Sequence, residues 1–330
     1  MAEPAPVRWA VLGAANIFRA NFLPSLRAAG GGEVVVVGSR GGRRAAEMLA
    51  REELQCRIAD YEGAIGTEEV DAVYVALPNT LHVEWAGAAL RAGKAVLCEK
   101  PLGVDLSEVE ELVELAHGAR APLWEAFAFP FHSQYLRAEE LISGGEIGEL
   151  REVVSHFHFP VRRPDNIRWS PELAGGALND VGCYPIHLAA LLFRRVPGRA
   201  LVSATAAPSG VDLETCGLLE YGGGSRLLFS SGLSRARDTT TRLVGTEGSL
   251  ELTDPFHPGA HDTFELRVAG RPGKRERLMS DEPTFAPLLR HIHAVLRDGA
   301  GPRHLAINDS IPTAQALEWV RAAASRESGR

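Results

Sequence analysis

Asp180, Tyr184 and His187 stand 4 and 3 residues apart in ALNDVGCYPIHLAALL, residues 177–192. On a helix that spacing puts all three on one face. An acid, a phenol and an imidazole aligned at the start of an apolar helix can hold a hydroxyl group and pass a proton to or from it. The set lacks a cation. Lys100, in CEKPL at 98–102, is the candidate, because it closes a β-rich apolar run and a proline follows it. In an open α/β sheet, ligands bind beyond the carboxyl ends of the strands, which is where Lys100 would stand.

A parallel sheet must then position Lys100, and the first third of the chain predicts one. VRWAVLG (7–13), EVVVVGSR (33–40), DAVYVAL (71–77) and AVLCEKP (95–101) have the composition of buried parallel strands, and APLWEAFAF (121–129) reads as the last of them. Helical patterns at 16–29, 43–53, 80–92 and 107–118 alternate with these runs, which is the order of a doubly wound α/β sheet. The pattern changes after about residue 128. A helix over 133–143 leads to ELREVVSHFHFP, which alternates as a strand with one exposed face does, and the helix carrying Asp180 follows. Strand patterns at 201–207, 213–221, 225–233, 239–244 and 249–252, with the hairpin signal EYGGGSR between two of them, predict an antiparallel sheet. Helices over 284–297 and 309–325 close the chain. The expected fold class is α/β: a Rossmann-type parallel sheet over 1–127, then an α/β domain with an open, mostly antiparallel sheet over 128–330. The helix at 309–325 is expected to pack back on the first domain.

VLGAANIF follows the first strand and opens a helix, where a dinucleotide fingerprint belongs. Only Gly13 of the three glycines is present; Ala15 and Phe18 hold the other two positions. Gly13 permits the tight turn, and Ala15, Asn16 and Ile17 lead into a helix N-terminus that can take a pyrophosphate. A plain strand-helix turn has the same pattern. The second strand sharpens the reading. It ends Gly38-Ser39-Arg40, with no acid to accept hydrogen bonds from a ribose 2′-hydroxyl. Ser39 can donate to a 2′-phosphate and Arg40 can clamp it, with Arg43 and Arg44 one turn further on. This favours NADP(H) over NAD(H).

The formal net charge of −7 argues against general nucleic-acid binding. Cys56, Cys98, Cys183 and Cys216 form no CxxC motif and read as reduced, mostly buried thiols. No secretory signal pattern and no apolar run of roughly 18 residues is present, so a cytoplasmic protein without a membrane partner is expected. No metal-ligand cluster is read in the chain.

The degenerate glycine turn, the EKP segment and GGALNDVGCY together resemble the Gfo/Idh/MocA family of NAD(P)-dependent oxidoreductases, and the resemblance covers nearly the whole chain. It implies a Rossmann domain followed by a domain whose open sheet makes oligomer contacts, here a homodimer or homotetramer. It puts the family's catalytic lysine on Lys100 and its aspartate on Asp180. The usual histidine position falls on Tyr184, as in a minority of members acting on sugars or diols. The acid or amide common three residues later is replaced by His187, which leaves the role of His187 open. On this reading Tyr184 is the general acid/base. A free phenol has a pKa of about 10, and a lysine ammonium a few ångströms away favours the phenolate. Asp180 would hold Lys100 or a substrate hydroxyl. The resemblance also makes LPNTLH, with Leu77, Pro78, Asn79 and His82, the loop beside the nicotinamide ribose, and adds Glu99 to the cofactor contacts.

Other residues are candidates for a sugar or polyol substrate. Phe127, Phe129 and Phe131 fall at strand spacing and would share a face; such rings suit the C–H surface of a sugar, and equally a core. Arg168, Asn166 and Trp169 lie in the polar loop before the helix of Asp180, and His158 ends the strand before that loop. The resemblance runs most strongly to NADP-dependent aldose 1-dehydrogenases and dihydrodiol dehydrogenases. Nucleotide-linked deoxysugar 3-ketoreductases share the tyrosine and the Ser-Arg strand end, but no plain basic cluster for a second pyrophosphate is visible. A non-catalytic NADP(H)-binding sensor is the alternative of another class; it would need none of Lys100, Asp180 and Tyr184.

Overall fold

The structure, a computed structural model, describes residues 5–258, 263–268, 272–277 and 282–328. The first elements in chain order are β1 (Val7–Leu12), a π-helical turn (Phe18–Phe22) continuing as α1 (Leu23–Ala29), β2 (Gly32–Gly38), α2 (Gly42–Arg51), β3 (Arg57–Ala59) and α3 (Tyr61–Ile65). There follow β4 (Ala72–Val75), α4 (His82–Arg91), β5 (Ala95–Cys98), α5 (Leu106–Ala119) and β6 (Leu123–Glu125). These strands form one parallel sheet in the order β3-β2-β1-β4-β5-β6, the expected doubly wound arrangement. Four-residue strands with no exposed position, such as β4 and β5, are buried on both faces because helices cover both. β3 and α3 were not anticipated. Arg57–Ala59 is too short and too exposed to give a periodic signal.

The remaining elements are α6 (Ser133–Ser143), β7 (Leu150–His158), a π-helical turn (Leu178–Gly182) continuing as α7 (Cys183–Phe193), β8 (Pro197–Ala206), β9 (Asp212–Tyr221) and β10 (Arg226–Gly232). Then come β11 (Thr241–Gly245), β12 (Gly248–Leu252), β13 (Thr263–Val268), β14 (Lys274–Arg277), α8 (Ala286–Asp298) and α9 (Ala306–Ser328). The second sheet runs β14-β13-β12-β11-β7-β10-β9-β8. Its neighbours are antiparallel except β7 and β10, which run parallel from Glu152 opposite Arg226 to His158 opposite Gly232. α7 packs against β7 and β10.

The chain divides into two compact units, and the division is not collinear. The first takes in residues up to Gly103, 107–128 and 282–308; the second takes in 104–106, 129–281 and 309 onward. α8 therefore belongs with the parallel sheet. His293 on α8 accepts the indole N–H of Trp9 at 3.1 Å, and its Nδ1 lies 2.9 Å from the carbonyl of Gly30. α9 is divided between them: 306–308 count with the first unit and the rest with the second.

Two expectations are corrected. The strand foreseen at 121–129 ends at Glu125, and Phe129–Phe131 is a 3₁₀ turn. Phe127 and Phe129 therefore share no strand face, and both are core residues, 2% and 0% exposed. The turn forms because Phe127 N–H folds back to Glu125 O and Pro130 cannot extend a ladder. Of the thiols, Cys98 and Cys183 are buried, but Cys56 is half-buried and Cys216 exposed.

Candidate functional site

In the first unit the candidates gather at the carboxyl edge of the parallel sheet. Gly13 turns the chain after β1 with φ of +105°, and a Cβ there would fall 2.5 Å from Ala76 O, behind β4. Both facts demand glycine, which explains why this one member of the fingerprint survives. Ala15, Asn16 and Ile17 then lead into the helix; Asn16 is exposed and accepts from Arg19 Nη2 at 2.9 Å. After β2, Ser39 Oγ donates to Gly41 O at 3.1 Å. Arg40 lines a cavity of about 340 Å³ together with Tyr61, Trp85 and the carboxylates of Asp60, Glu62 and Glu84. Arg44 lies exposed on α2. A turn needing glycine, and a strand end that carries Ser39 and Arg40 and no acid, are the features that a dinucleotide with a 2′-phosphate would need.

Lys100 follows β5, on a segment held by buried polar groups. Tyr74 on β4 donates to Glu99 Oε1 at 2.5 Å, and Leu102 N–H donates to Glu125 Oε1 at 2.9 Å. Leu77 is buried, while Pro78 and Asn79 are half-exposed at the end of β4. Two expected cofactor contacts sit differently. His82 has no exposed surface, and its ring nitrogens lie against the carbonyls of Leu77 and Pro101. Glu99 is 8% exposed with the Tyr74 hydroxyl on its carboxylate. Both side chains serve the protein's own framework.

In the second unit the π-helical turn and α7 keep Asp180 and Tyr184 one turn apart. Asp212 Oδ2 accepts the N–H of Leu178 at 2.7 Å and the hydroxyl of Thr215 at 2.7 Å, which fixes the start of this helix. Burial pushes the Asp212 carboxyl up, against these two hydrogen bonds. Gly176 has φ of +101°, and a Cβ there would collide with Asp212 Oδ1. Asp180 Oδ2 receives Arg168 Nε at 2.5 Å, and Asn166 Oδ1 accepts the N–H of Arg168 at 3.1 Å. Arg168 thus meets Asp180 directly, a pairing the sequence reading did not foresee. Trp169 Nε1 donates to Arg163 O at 3.0 Å within the same loop.

Tyr184 is 7% exposed and its ring sits among Phe157, Phe256 and His257, with centroids 5.1, 5.3 and 5.5 Å away. Phe129 closes this cluster, edge-on to His187 at 5.7 Å. His187 is 3% exposed and its Nδ1 lies 2.8 Å from Thr313 Oγ1 on α9. His158 is 3% exposed and bonded through Nε2 to Ser230 Oγ at 2.8 Å. Burial first, then repulsion from Arg235, pull its pKa down. As candidates for binding a sugar, His158 and His187 are therefore core residues with partners of their own.

α9 braces the helix of Tyr184 at two points. Arg321 Nη2 donates to Asn179 Oδ1 at 2.8 Å, and His187 meets Thr313. Each pair of positions is eight residues apart and they run in opposite senses, so two antiparallel helices are tied about 12 Å apart along their axes. Asp212, Thr313, Arg321 and His257 were missed in the sequence. The one local signal was Asp212 at the start of a strand, where aspartate is depleted.

Residues 7–127 match the oxidoreductase family with an NAD-binding Rossmann fold, and residues 135–251 match the GFO/IDH/MocA C-terminal domain. The chain belongs to the Gfo/Idh/MocA oxidoreductase family. It is 36% identical over 301 residues to dTDP-3,4-didehydro-2,6-dideoxy-alpha-D-glucose 3-reductase of Streptomyces violaceoruber, covering 89% of this chain and 87% of the relative. It is 35% identical over 263 residues to D-xylose 1-dehydrogenase (NADP(+)) 2 of Haloferax volcanii, covering 78% and 79%. Among solved structures, KijD10, a 3-ketoreductase from Actinomadura kijaniata in complex with NADP and TDP-benzene, matches with a TM-score of 0.87 at 30% identity, over 96% of this chain and 98% of that one.

Proposed function

We propose that this chain is an NADP(H)-dependent oxidoreductase that interconverts a hydroxyl and a keto or aldehyde group on a sugar. The observation that carries it is the carboxyl edge of the parallel sheet, where Gly13, the acid-free Ser39-Arg40 pair and Lys100 emerge from β1, β2 and β5. Arg40 and Ser39 would hold the 2′-phosphate, and the N–H groups around Ala15–Ile17 the pyrophosphate. Bound NADP(H) supplies the hydride donor or acceptor. Tyr184 gives its phenolic proton to the carbonyl oxygen in reduction and takes it back in oxidation. Lys100 favours the phenolate by its charge. Asp180, oriented by Arg168, holds a hydroxyl of the substrate. A sensor that only binds the dinucleotide has no use for this set.

Two substrate classes follow from the relatives. A free aldose or diol would be oxidised with NADP⁺. A nucleotide-linked keto sugar would be reduced with NADPH, and the similarity to KijD10 along nearly the full chain favours this second reading. Initial rates with NADP⁺ on D-xylose, D-glucose and a dihydrodiol, repeated with NAD⁺, and with NADPH on a dTDP-linked 3-keto sugar, separate them. Turnover only on the nucleotide-linked sugar selects the ketoreductase. Equal rates with NAD⁺ and NADP⁺ overturn the cofactor assignment.

We further propose a cytoplasmic homo-oligomer formed through the open face of the second sheet. Leu201 and Leu228 are 51% and 37% exposed. Leu218 lies between them in register, and Val154 continues the row across β7. An apolar row of this kind suits a self-complementary interface. Among the described residues no helix is long and apolar enough to cross a membrane. Light scattering on L201E/L228E tests the interface: a monomer supports it, an unchanged mass sinks it.

A further inference from the structure

We infer that His82 is a positioning residue for Lys100, tying the loop after β4 and the loop after β5 into one piece. The inference rests on the reading that Lys100 acts in catalysis. His82 opens α4 with no exposed surface. Its Nδ1 lies 2.8 Å from Pro101 O, next to Lys100, and its Nε2 lies 2.9 Å from Leu77 O, next to Pro78 and Asn79. The first loop carries the residues read as nicotinamide-ribose contacts and the second carries the amine. A single aromatic plane therefore sets the separation of their backbones.

The rest of the second loop is fixed by side chains that do the same kind of work. Glu99 is held by Tyr74, and Leu102 N–H is held by Glu125. Lys100 thus sits between two anchored neighbours, with His82 gripping the residue after it. Carbonyl oxygens only accept, so the ring serves both at full strength only when both nitrogens carry hydrogen. Burial, and then the Lys100 ammonium, oppose the charged ring and pull its pKa down, while the two carbonyls pull it up. A buried imidazole under these opposing demands is a poor choice for mere filling, since an apolar side chain would leave fewer polar groups to satisfy. Its use is the bridge.

The test is a double-mutant cycle on the full-length protein with hydrogen exchange as a second readout. His82→Phe keeps a ring and removes both nitrogen contacts. The expected result is faster amide exchange confined to residues 76–80 and 99–103. A fall in kcat of roughly 10- to 100-fold should accompany it, as displacement of a catalytic group by about 1 Å gives. KM for the sugar should move far less. His82→Gln, which still donates to one carbonyl, should recover part of the rate. In a Lys100→Ala background His82→Phe should cost nothing further. Unchanged exchange in both segments, or the full loss repeated in the Lys100→Ala background, overturns the inference. Lys100→Ala retaining full activity overturns the catalytic reading instead, and the exchange pattern still decides the bridge.

Discussion

Arg168 Nε and Asp180 Oδ2 are 2.5 Å apart, joining the loop after β7 to the first turn of the helix that carries Tyr184. Asp180 is the more enclosed partner, with 14% of its side chain exposed against 34% for Arg168. The arginine therefore orients the carboxylate as much as it neutralises it. Arg168→Ala should lower kcat by about tenfold or more, and Arg168→Lys should recover little of it, because an ammonium cannot reproduce the guanidinium fork. Steady-state kinetics of both variants check this. An Arg168→Lys enzyme with wild-type kcat would reduce the pair to a surface contact.

Tyr184→Phe removes one oxygen from a ring packed by Phe157 and Phe256, so the fold should tolerate it. We expect kcat to drop by roughly 100-fold or more while NADPH affinity, read by fluorescence titration, stays within about twofold. An unchanged kcat removes Tyr184 from the proton transfer.

Arg40→Asp places a carboxylate where the 2′-phosphate would sit. The ratio of kcat/KM for NADP⁺ over NAD⁺ should fall by about 100-fold or more, and NAD⁺ should become the better cofactor. A ratio that holds steady would pass the clamp to another residue.

His293 gives a pH dependence of stability whose sign follows from its surroundings. Burial, with the Arg297 guanidinium, pulls its pKa down to about 4 against the Gly30 carbonyl, and a neutral ring is what accepting from Trp9 requires. In the unfolded chain its pKa is about 6.5. The unfolded state therefore binds the proton first as pH falls. Stability from this site is complete above about pH 6.5 and is lost progressively between pH 6.5 and 4, by up to about 3 kcal/mol. Thermal melts at pH 7.5 and 5 should show the loss, and His293→Leu should be less stable at pH 7.5 but flatter across that window. Parallel curves for the two proteins would assign the acid sensitivity elsewhere.

The parallel sheet was legible because its strands are short, apolar and punctuated by Gly13, Pro78 and Pro101. Lys100, Asp180 and Tyr184 were legible because their chemistry is set by local order: a strand end, and one face of one helix. What escaped depends on distance along the chain. Nothing near His82 says that its ring reaches Leu77 and Pro101, and nothing near Thr313 or Arg321 says which helix they brace. The parallel pairing of β7 with β10 was hidden for the same reason, as each strand alternates like its antiparallel neighbours. Phe127 and Phe129 misled because their spacing is that of a strand, while the chain had already turned at Glu125.

The assignment of α8 to the parallel-sheet unit bears on how the protein is made. Trp9 is wholly buried, and the acceptor for its indole arrives on a helix that ends at Asp298, about 170 residues beyond Ala128. At 5–20 residues per second a ribosome needs roughly 10 to 30 seconds to supply it. During that interval the emerging sheet carries Trp9 without the acceptor for its indole. The first unit cannot be completed by translating residues up to 128 alone, so nascent chains should be most exposed to chaperones and proteases while the second sheet is still being synthesised.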